Sequence, residues 1–224
     1  MINEEEKDAR SNSRWSIKSI IQKVFFCCPT FFNSDNYYVD LGPIPRCSST
    51  DSSLRKTLVL DLDETLIYST LSHVDDYDFY IEYKYKNIVF VSRVFKRPGL
   101  DEFLNYAQKK FEVVIFTASL RGYADLVINQ IAPWVPYSHR FYREDCFYCG
   151  SYFIKDLDRL NRPLDSILIV DNSRDSFNFH IPNGILVSSF EGDKEDRELI
   201  DYVMPILMKI ETSSDVREII KKLQ

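Results

Sequence analysis

Short apolar runs, each closed by a polar residue, recur along residues 56–224 and predict a parallel β-sheet. The three clearest runs are Thr57–Asp61, Phe111–Thr117 and Ser166–Asp171. Each has the length of a buried parallel strand, and helical stretches such as Leu100–Lys110 lie between them. Because ligands bind outside the carboxyl ends of the strands in an open parallel sheet, the three polar strand ends are expected to meet at one ligand-binding edge.

Between the first two runs, apolar or aromatic residues alternate with polar ones. Phe79, Ile81, Tyr83 and Tyr85 alternate in this way, and the alternation resumes after Asn87. This pattern is typical of half-buried antiparallel strands, so the segment predicts a hairpin that turns near Asn87. Its position after the first strand places the hairpin at the edge where the strands end.

Helical spacing of apolar residues predicts the elements that cover the sheet. It extends over Leu120–Ile131, Asp196–Met208 and the amphipathic tail, residues 214–224. The predicted fold is therefore α/β, with a Rossmann-like central parallel sheet flanked by helices. A short antiparallel β insertion follows the first strand, and no large cap domain is expected.

The first 55 residues differ from the rest and are interpreted as a tail and linker that precede a domain over residues 56–224. Apolar residues within Trp15–Phe32 have helical spacing, and lysines lie between them. Two interpretations stay open. The stretch is a short helix packed on the domain or a disordered tail, or it is a membrane-surface helix reinforced by palmitoylation of Cys27 and Cys28.

Composition and charge exclude several classes of protein. The net charge of −6 argues against a nucleic-acid-binding protein held by a general basic surface. The five cysteines have no framework spacing, which argues against a disulfide-stapled secreted domain. No apolar run approaches the roughly 18 residues needed to span a bilayer, and the acidic start, Glu4–Glu6, differs from a secretory signal. We therefore expect a cytoplasmic or nuclear protein, with a lipid-anchored membrane pool if the cysteine pair is modified, and a monomer by default.

The candidate chemistry is concentrated in Asp61–Thr65, which directly follows the first strand. Asp61 and Asp63 are two residues apart, so both carboxylates can flank one small ligand where the strand becomes a loop. Two like charges so close need a cation, and Mg²⁺ prefers oxygen ligands shared between carboxylates and phosphate. One carboxylate can also be a covalent nucleophile, and a second can act as general acid and base. An Asp-x-Asp pair alone more commonly marks a solvated surface loop. The apolar strand before this pair favours a catalytic site over such a loop.

The run Leu58–Leu66 resembles the first motif of the haloacid dehalogenase superfamily of phosphotransferases. More narrowly, it is similar to the small phosphatases of the RNA polymerase II carboxyl-terminal domain. Further matches occur in the family's order and near its spacing: Phe95–Gly99, Phe116–Ser119, Tyr142–Glu144, Tyr152–Leu157 and Ile169–Ser173. Together they cover roughly residues 55–224. Any single motif is modest evidence for the family, whereas the ordered set is highly specific.

The resemblance implies a catalytic role for each matching residue. Asp61 matches the nucleophile that takes up the phosphoryl group, and Asp63 matches the general acid and base. Thr65 would fix the loop, Thr117 would donate a hydrogen bond to the phosphoryl oxygens, and Lys155 would offset negative charge. From the residues alone, Thr117 could as well end a strand and Lys155 could be an exposed cation.

The resemblance also implies a Mg²⁺ cofactor. Asp61 would supply a carboxylate oxygen, Asp63 its backbone carbonyl and Asn172 its side chain as metal ligands. Asp171 would support the site by orienting its neighbours. From the residues alone, Asp171 and Asn172 could be a turn pair, since both residue types suit turns.

A substrate groove is the last feature that the resemblance implies. Arg143 matches a position that contacts phosphate of a bound peptide, and the alternative is a surface ion pair with Glu144 or Asp145. The residues expected around an apolar pocket are partly aromatic where relatives are more aliphatic: Leu71, Tyr83, Tyr85 and Leu120. The expected partner is therefore a phosphoprotein, and the RNA polymerase II tail is one candidate.

Three functions are compatible with these observations. The first is a Mg²⁺-dependent protein serine/threonine phosphatase that forms an aspartyl-phosphate on phosphopeptide segments. The second is a small-molecule phosphatase, which would need a lid for which the sequence offers no candidate. The third is a non-catalytic binding module resembling mitochondrial import receptors, which tend to have an eroded active site. We favour the first, because the matching active-site residues are all present and the insertion is too short to close over the site.

Overall fold

The structure is a computed structural model that describes residues 55–150 and 152–223. In chain order its strands and α-helices are β1 (Thr57–Leu60), β2 (Ile67–Thr70), β3 (Phe79–Tyr85), β4 (Ile88–Lys96), α1 (Leu100–Lys110), β5 (Glu112–Phe116), α2 (Arg121–Ile131), β6 (Arg140–Phe141), β7 (Phe147–Tyr148), β8 (Phe153–Ile154), β9 (Ile167–Asp171), β10 (Gly184–Leu186), α3 (Met204–Glu211) and α4 (Val216–Ile220).

A five-stranded parallel sheet forms the centre of the fold, in the order β10-β9-β1-β5-β6. The three strands predicted from apolar runs, β1, β5 and β9, are adjacent in it and buried along their whole length. Leu60 pairs in register with Ile115 on one side and with Val170 on the other. Asp61 therefore leaves the sheet at the same edge as the ends of β5 and β9. This arrangement confirms the predicted α/β fold.

A small antiparallel sheet is inserted after β1. β3 and β4 form the predicted hairpin, and β2, which the sequence did not predict, pairs with the other side of β4. The turn lies at Lys86 and Asn87, whose φ angles are 46° and 63°. Two consecutive residues with positive φ make the tight turn that matches the twist of antiparallel strands. Ile81 is buried on the inner face, whereas Tyr80 and Val89 are exposed on the other.

The helices differ from the predictions mainly at their ends. α1 has the predicted bounds, with acidic residues in its first turn and basic residues in its last, an order that suits the helix dipole. The helix predicted over 196–208 begins with a π-helical turn at Leu199–Val203 and continues as α3 to Glu211. In the described part of the tail, only the short α4 is α-helical, with Asp215 capping its first turn.

The predictions for the N-terminal region lie outside the described residues. The helical spacing within Trp15–Phe32, the palmitoylation of Cys27 and Cys28 and the division of the chain near residue 55 therefore stay predictions. In the part of the chain that the structure describes, no helix combines the length and the apolar character needed to cross a bilayer.

Candidate active site

Lys155 lies between the carboxylates of two strand ends and joins them. Its Nζ donates to Asp61 Oδ1 at 2.5 Å and to Asp171 Oδ2 at 2.6 Å. Lys155 is 1% exposed, and both aspartates are buried. Burial disfavours the ammonium ion, but the attraction of Asp171 and Asp61 outweighs it and holds the pKa of Lys155 well above its ordinary value. The alternative of an exposed cation is therefore wrong.

Thr65 connects Asp61 with Asn172. Its Oγ1 donates to Asp61 Oδ2 at 2.8 Å, lies 3.3 Å from Asn172 Oδ1, and accepts from the Asn172 backbone N–H at 3.1 Å. The chain turns at Glu64, whose φ of 61° lies in the left-handed region. Through these contacts Thr65 fixes the loop after β1 against the end of β9.

Two hydrogen bonds orient the side-chain amide of Asn172. Its Nδ2 donates to Glu64 Oε2 at 3.2 Å and to Ser189 Oγ at 2.9 Å, which directs Oδ1 toward Thr65. Asp61 Oδ2 and Asn172 Oδ1 are thus two oxygen atoms gathered around one hydroxyl group. Carboxylate and amide oxygens are hard ligands, so this donor set suits Mg²⁺.

Asp63 is held by two hydroxyl groups from another part of the chain. Ser119 Oγ donates to Asp63 Oδ2 and Tyr123 OH donates to Oδ1, both at 2.6 Å. Burial raises the pKa of Asp63 to about 6, against the opposing effect of the two hydrogen bonds. A carboxyl group with this pKa can take up and release a proton near neutral pH, as general acid–base catalysis requires. The metal-ligand role implied for its backbone carbonyl stays a prediction.

Thr117 is buried directly after β5. Its backbone N–H donates to Phe141 O at 2.9 Å, and its Oγ1 accepts from the Ser119 N–H at 3.0 Å. The hydroxyl group can still donate its own proton to a ligand at this edge. Thr117 therefore ends a strand, and the phosphoryl contact that the resemblance implies stays a prediction.

Arg143 is fixed against the loop that follows β5. Its N–H donates to Ser119 O at 3.1 Å, its Nε donates to Ala118 O at 2.6 Å, and its guanidinium carbon lies 5.3 Å from the centre of the Phe153 ring. Among the described residues, its buried Nη2 has no hydrogen-bond partner. A buried donor without a partner is costly, and a phosphate oxygen would satisfy it. Across the described ranges, Arg143 forms no ion pair with Glu144 or Asp145: Glu144 pairs with Arg121, and the Asp145 carboxylate accepts from the Tyr142 N–H.

The residues predicted for the apolar pocket are all half-buried: Leu71, Tyr83, Tyr85 and Leu120. The Tyr83 ring packs edge-on against the Tyr123 ring, with 5.5 Å between the ring centres. Tyr83 thus contacts a residue that bonds Asp63, and the pocket that the four residues would form stays a prediction.

A second group of oxygen and nitrogen atoms, from Asp156, Asp158 and His180, also has the composition of a metal site, with all atoms within 4.8 Å of one another. Asp156 Oδ1 lies 2.8 Å from His180 Nε2 and accepts from the Asp158 N–H at 3.1 Å. These contacts cap a 3₁₀ turn and satisfy a buried imidazole, so the group is explained as a structural contact.

Three residues of the site have no role in the sequence-based prediction. Ser119 and Tyr123 hold Asp63 across separations of 56 and 60 residues. Arg97 is completely buried, and its Nη1 donates to Thr65 O at 3.1 Å. It also forms ion pairs with the carboxylates of Asp196 and Glu198. A local pattern carries no signal for contacts of this kind.

Comparison with known proteins gives consistent matches. The family model described as NLI interacting factor-like phosphatase matches residues 56–217. The chain is 43% identical over 162 residues to a probable C-terminal domain small phosphatase of Dictyostelium discoideum, covering 72% of this chain and 53% of that protein. It is 39% identical over 178 residues to phosphatase PSR1 of Saccharomyces cerevisiae, covering 79% of this chain and 41% of that protein. The chain therefore spans about half the length of these relatives.

A human relative and a solved structure extend the comparison. The carboxy-terminal domain RNA polymerase II polypeptide A small phosphatase 1 of Homo sapiens is 37% identical over 179 residues, covering 80% of this chain and 68% of that protein. A structure of the fission yeast RNA polymerase II CTD phosphatase Fcp1 bound to beryllium fluoride matches with a TM-score of 0.53 at 20% identity, covering 75% of this chain and 54% of that one. At this identity the structural match shows the shared fold alone.

Proposed function

The chain belongs to the NLI interacting factor-like phosphatase family, and from this membership we propose that it is a Mg²⁺-dependent protein serine/threonine phosphatase. The observation that carries the proposal is Asp61, a buried carboxylate at a strand end, bonded by Lys155 at 2.5 Å and by Thr65 at 2.8 Å. A carboxylate fixed in this way is oriented before the substrate arrives, and the adjacent cation offsets its repulsion of a phosphate.

In the first step, a carboxylate oxygen of Asp61 attacks the phosphorus atom of a phosphoserine or phosphothreonine. The new oxygen–phosphorus bond forms as the bond to the substrate's side-chain oxygen breaks, which leaves the phosphoryl group on Asp61 as an aspartyl-phosphate. Lys155 keeps its positive charge beside the reacting oxygens. The Thr117 hydroxyl donates to one of the equatorial phosphoryl oxygens.

Asp63 moves the protons in both steps. In its acid form it gives a proton to the departing serine or threonine oxygen, which leaves as an alcohol and not as an alkoxide. In the second step the Asp63 carboxylate takes a proton from water while the water oxygen attacks the phosphorus atom. Inorganic phosphate is released, Asp61 is again a carboxylate, and Asp63 is again an acid.

The proposed cofactor is Mg²⁺, held by Asp61 Oδ2 and Asn172 Oδ1 together with the Asp63 carbonyl. When bound, it would supply positive charge to the phosphoryl oxygens. Asp171 supports this arrangement, because it bonds Lys155 with one oxygen and accepts from the Ser173 N–H with the other at 2.8 Å.

The proposed substrates are phosphorylated segments of proteins. The described insertion between β1 and α1 is a small three-stranded sheet, whose size favours a site open to an extended peptide. The buried Arg143 Nη2, which has no partner among the described residues, offers a donor for the substrate phosphate. Since the human relative is named for the carboxy-terminal domain of RNA polymerase II, a phosphorylated tail of that kind is one candidate substrate.

The first test is hydrolysis of p-nitrophenyl phosphate and of a phosphoserine peptide with Mg²⁺ present. We expect Asp61→Asn to lower both rates by at least about 10³-fold, because an amide oxygen cannot replace the nucleophile. Chelation with EDTA should abolish the activity of the parent protein, and added Mg²⁺ should restore it.

Asp158→Asn is the matched control, because Asp158 is an exposed aspartate in the second group of candidate metal ligands. It should retain the parent rates. Unchanged activity in Asp61→Asn would refute the nucleophile, and full activity in EDTA would refute the cofactor. Hydrolysis of small phosphorylated metabolites without hydrolysis of the peptide would favour the small-molecule alternative.

A further inference from the structure

Both oxygens of the Asp63 carboxyl group accept hydrogen bonds from hydroxyl groups of the protein. An aspartate in a solvated loop would be bonded by water instead. Ser119 Oγ and Tyr123 OH each lie 2.6 Å from one of its oxygens. Ser119 is 5% exposed and Tyr123 is 2% exposed, and Asp63 itself is half-buried, so both bonds are partly shielded from water. Short, partly buried bonds to a carboxylate are strong and directional, and a bond at each oxygen fixes the plane of the carboxyl group.

Tyr123 is in turn fixed by the inserted sheet. Its hydroxyl group lies 2.8 Å from Ser69 Oγ in β2, and its ring packs against Tyr83 in β3. A phenol has a single proton, so when Tyr123 donates to Asp63 the Ser69 hydroxyl can donate to Tyr123. One side chain on α2 thereby links the inserted sheet to the carboxyl group of Asp63.

We propose that Ser119 and Tyr123 are positioning residues that hold the Asp63 carboxyl group in the orientation from which it protonates the leaving oxygen of the substrate. The inference rests on the proposed phosphatase function. Asp63 gives its proton to the departing oxygen, while Ser119 and Tyr123 keep theirs and donate to the carboxylate that results. Without them the carboxyl group samples other rotamers, and most of those cannot deliver the proton.

The test compares two leaving groups in Tyr123→Phe and in Ser119→Ala. A phosphoserine peptide needs a proton on its departing oxygen, whereas nitrophenolate leaves without one. We expect each variant to lose about tenfold or more in the rate of peptide hydrolysis, a part of the 10²–10⁴-fold that general acid catalysis contributes. The rate of the first burst of nitrophenolate release, measured before the second step limits turnover, should stay within about twofold of the parent.

Tyr142→Phe is the matched control. Tyr142 is also buried, and its hydroxyl group donates to an aspartate, Asp125, at 2.6 Å. This variant loses an equivalent tyrosine–aspartate bond, and it should leave the ratio of the two rates unchanged. Thermal unfolding of all variants checks that they fold. If Tyr123→Phe does not fold, the rates of Ser119→Ala alone test the inference.

Two results would overturn the inference while leaving the proposed function intact. One is an unchanged rate of peptide hydrolysis in both variants. The other is an equal loss in peptide hydrolysis and in the nitrophenolate burst, since a purely structural defect lowers both rates together. A parent protein that hydrolyses neither substrate would instead refute the proposed function, so the two failures are distinguishable.

Discussion

At the scale of single residues, Lys155 compensates two buried carboxylates at once. Its ammonium group bonds Asp61 and Asp171, and its side chain is 2% exposed. Lys155→Met would leave both carboxylates buried without their cation, so we expect the free energy of unfolding to fall by about 3–5 kcal/mol. Phosphatase activity should fall by about 10²–10³-fold, because charge stabilisation of the phosphoryl group is lost as well. Urea denaturation and hydrolysis of p-nitrophenyl phosphate measure the two effects.

A double variant separates the stability effect from the catalytic one. Combining Lys155→Met with Asp171→Asn removes one of the two uncompensated charges, so part of the stability should return while activity stays low. The surface pair of Lys110 with Glu211 provides the control. Lys110→Met should change the free energy of unfolding by less than about 1 kcal/mol, because exposed ion pairs contribute little. A fully stable Lys155→Met variant would contradict this account.

At the scale of elements, Gly99 sets the position from which α1 begins. Its φ is 79°, and an ideal Cβ placed on it would lie 2.3 Å from Ile200 Cγ1. Gly99→Ala adds both backbone strain and steric overlap, so we expect the free energy of unfolding to fall by about 1–3 kcal/mol. Gly122 in α2 is the control, because a Cβ there would meet nothing within 4 Å. Gly122→Ala should raise the free energy of unfolding by about 0.4–1 kcal/mol, and a loss equal to that of Gly99→Ala in thermal denaturation would contradict the argument.

The elements that could be predicted from the sequence are those whose signal is local. Apolar runs predicted β1, β5 and β9, and alternation predicted the hairpin of β3 and β4, because each pattern is contained within its own segment. β6 and β10 have two and three residues and are too short to give a pattern. They are strands because they pair with β5 and β9, which is a property of the assembled sheet.

The residues of the candidate site also divide into those that the sequence predicted and those that it did not. Asp61 and Asp63 stand out locally, because two acidic residues close an apolar strand, and motif resemblance supplied Lys155 and Asn172. Ser119 lies within a matching motif but was given no role there, and Tyr123 lies outside the matching motifs. The pairing of β1 with β5 brings the Ser119 hydroxyl group to Asp63, and the position of α2 beside the inserted sheet brings that of Tyr123, so both contacts are properties of the assembled fold.

At the scale of the whole molecule, one buried carboxylate ties together the edge of the sheet opposite the candidate site. Glu112, at the start of β5, accepts from Thr57 Oγ1 at 2.6 Å and from Arg162 Nη2 and Nε at 2.6 and 2.8 Å. His139 Nε2 lies 3.4 Å from it. Burial opposes the charged form of Glu112, but its bonds with Arg162, His139 and Thr57 outweigh burial and hold its pKa well below the ordinary value. The negative charge of Glu112 therefore holds together four segments that are distant in sequence, its own and those of Thr57, His139 and Arg162.

The depressed pKa of Glu112 predicts how the stability of the fold depends on pH. Its contribution is complete above the unfolded-state pKa of 4.5 and is lost as the pH falls toward the lower folded-state pKa. Glu112→Gln should lower the free energy of unfolding at neutral pH by about 1.5–3 kcal/mol, and its difference from the parent should shrink as the medium becomes acidic. Glu82→Gln, at an exposed strand position, should follow the parent throughout. Urea denaturation at a series of pH values measures both variants. A difference between Glu112→Gln and the parent that stays constant into the acid range would mean that the charge of Glu112 is not what joins the four segments.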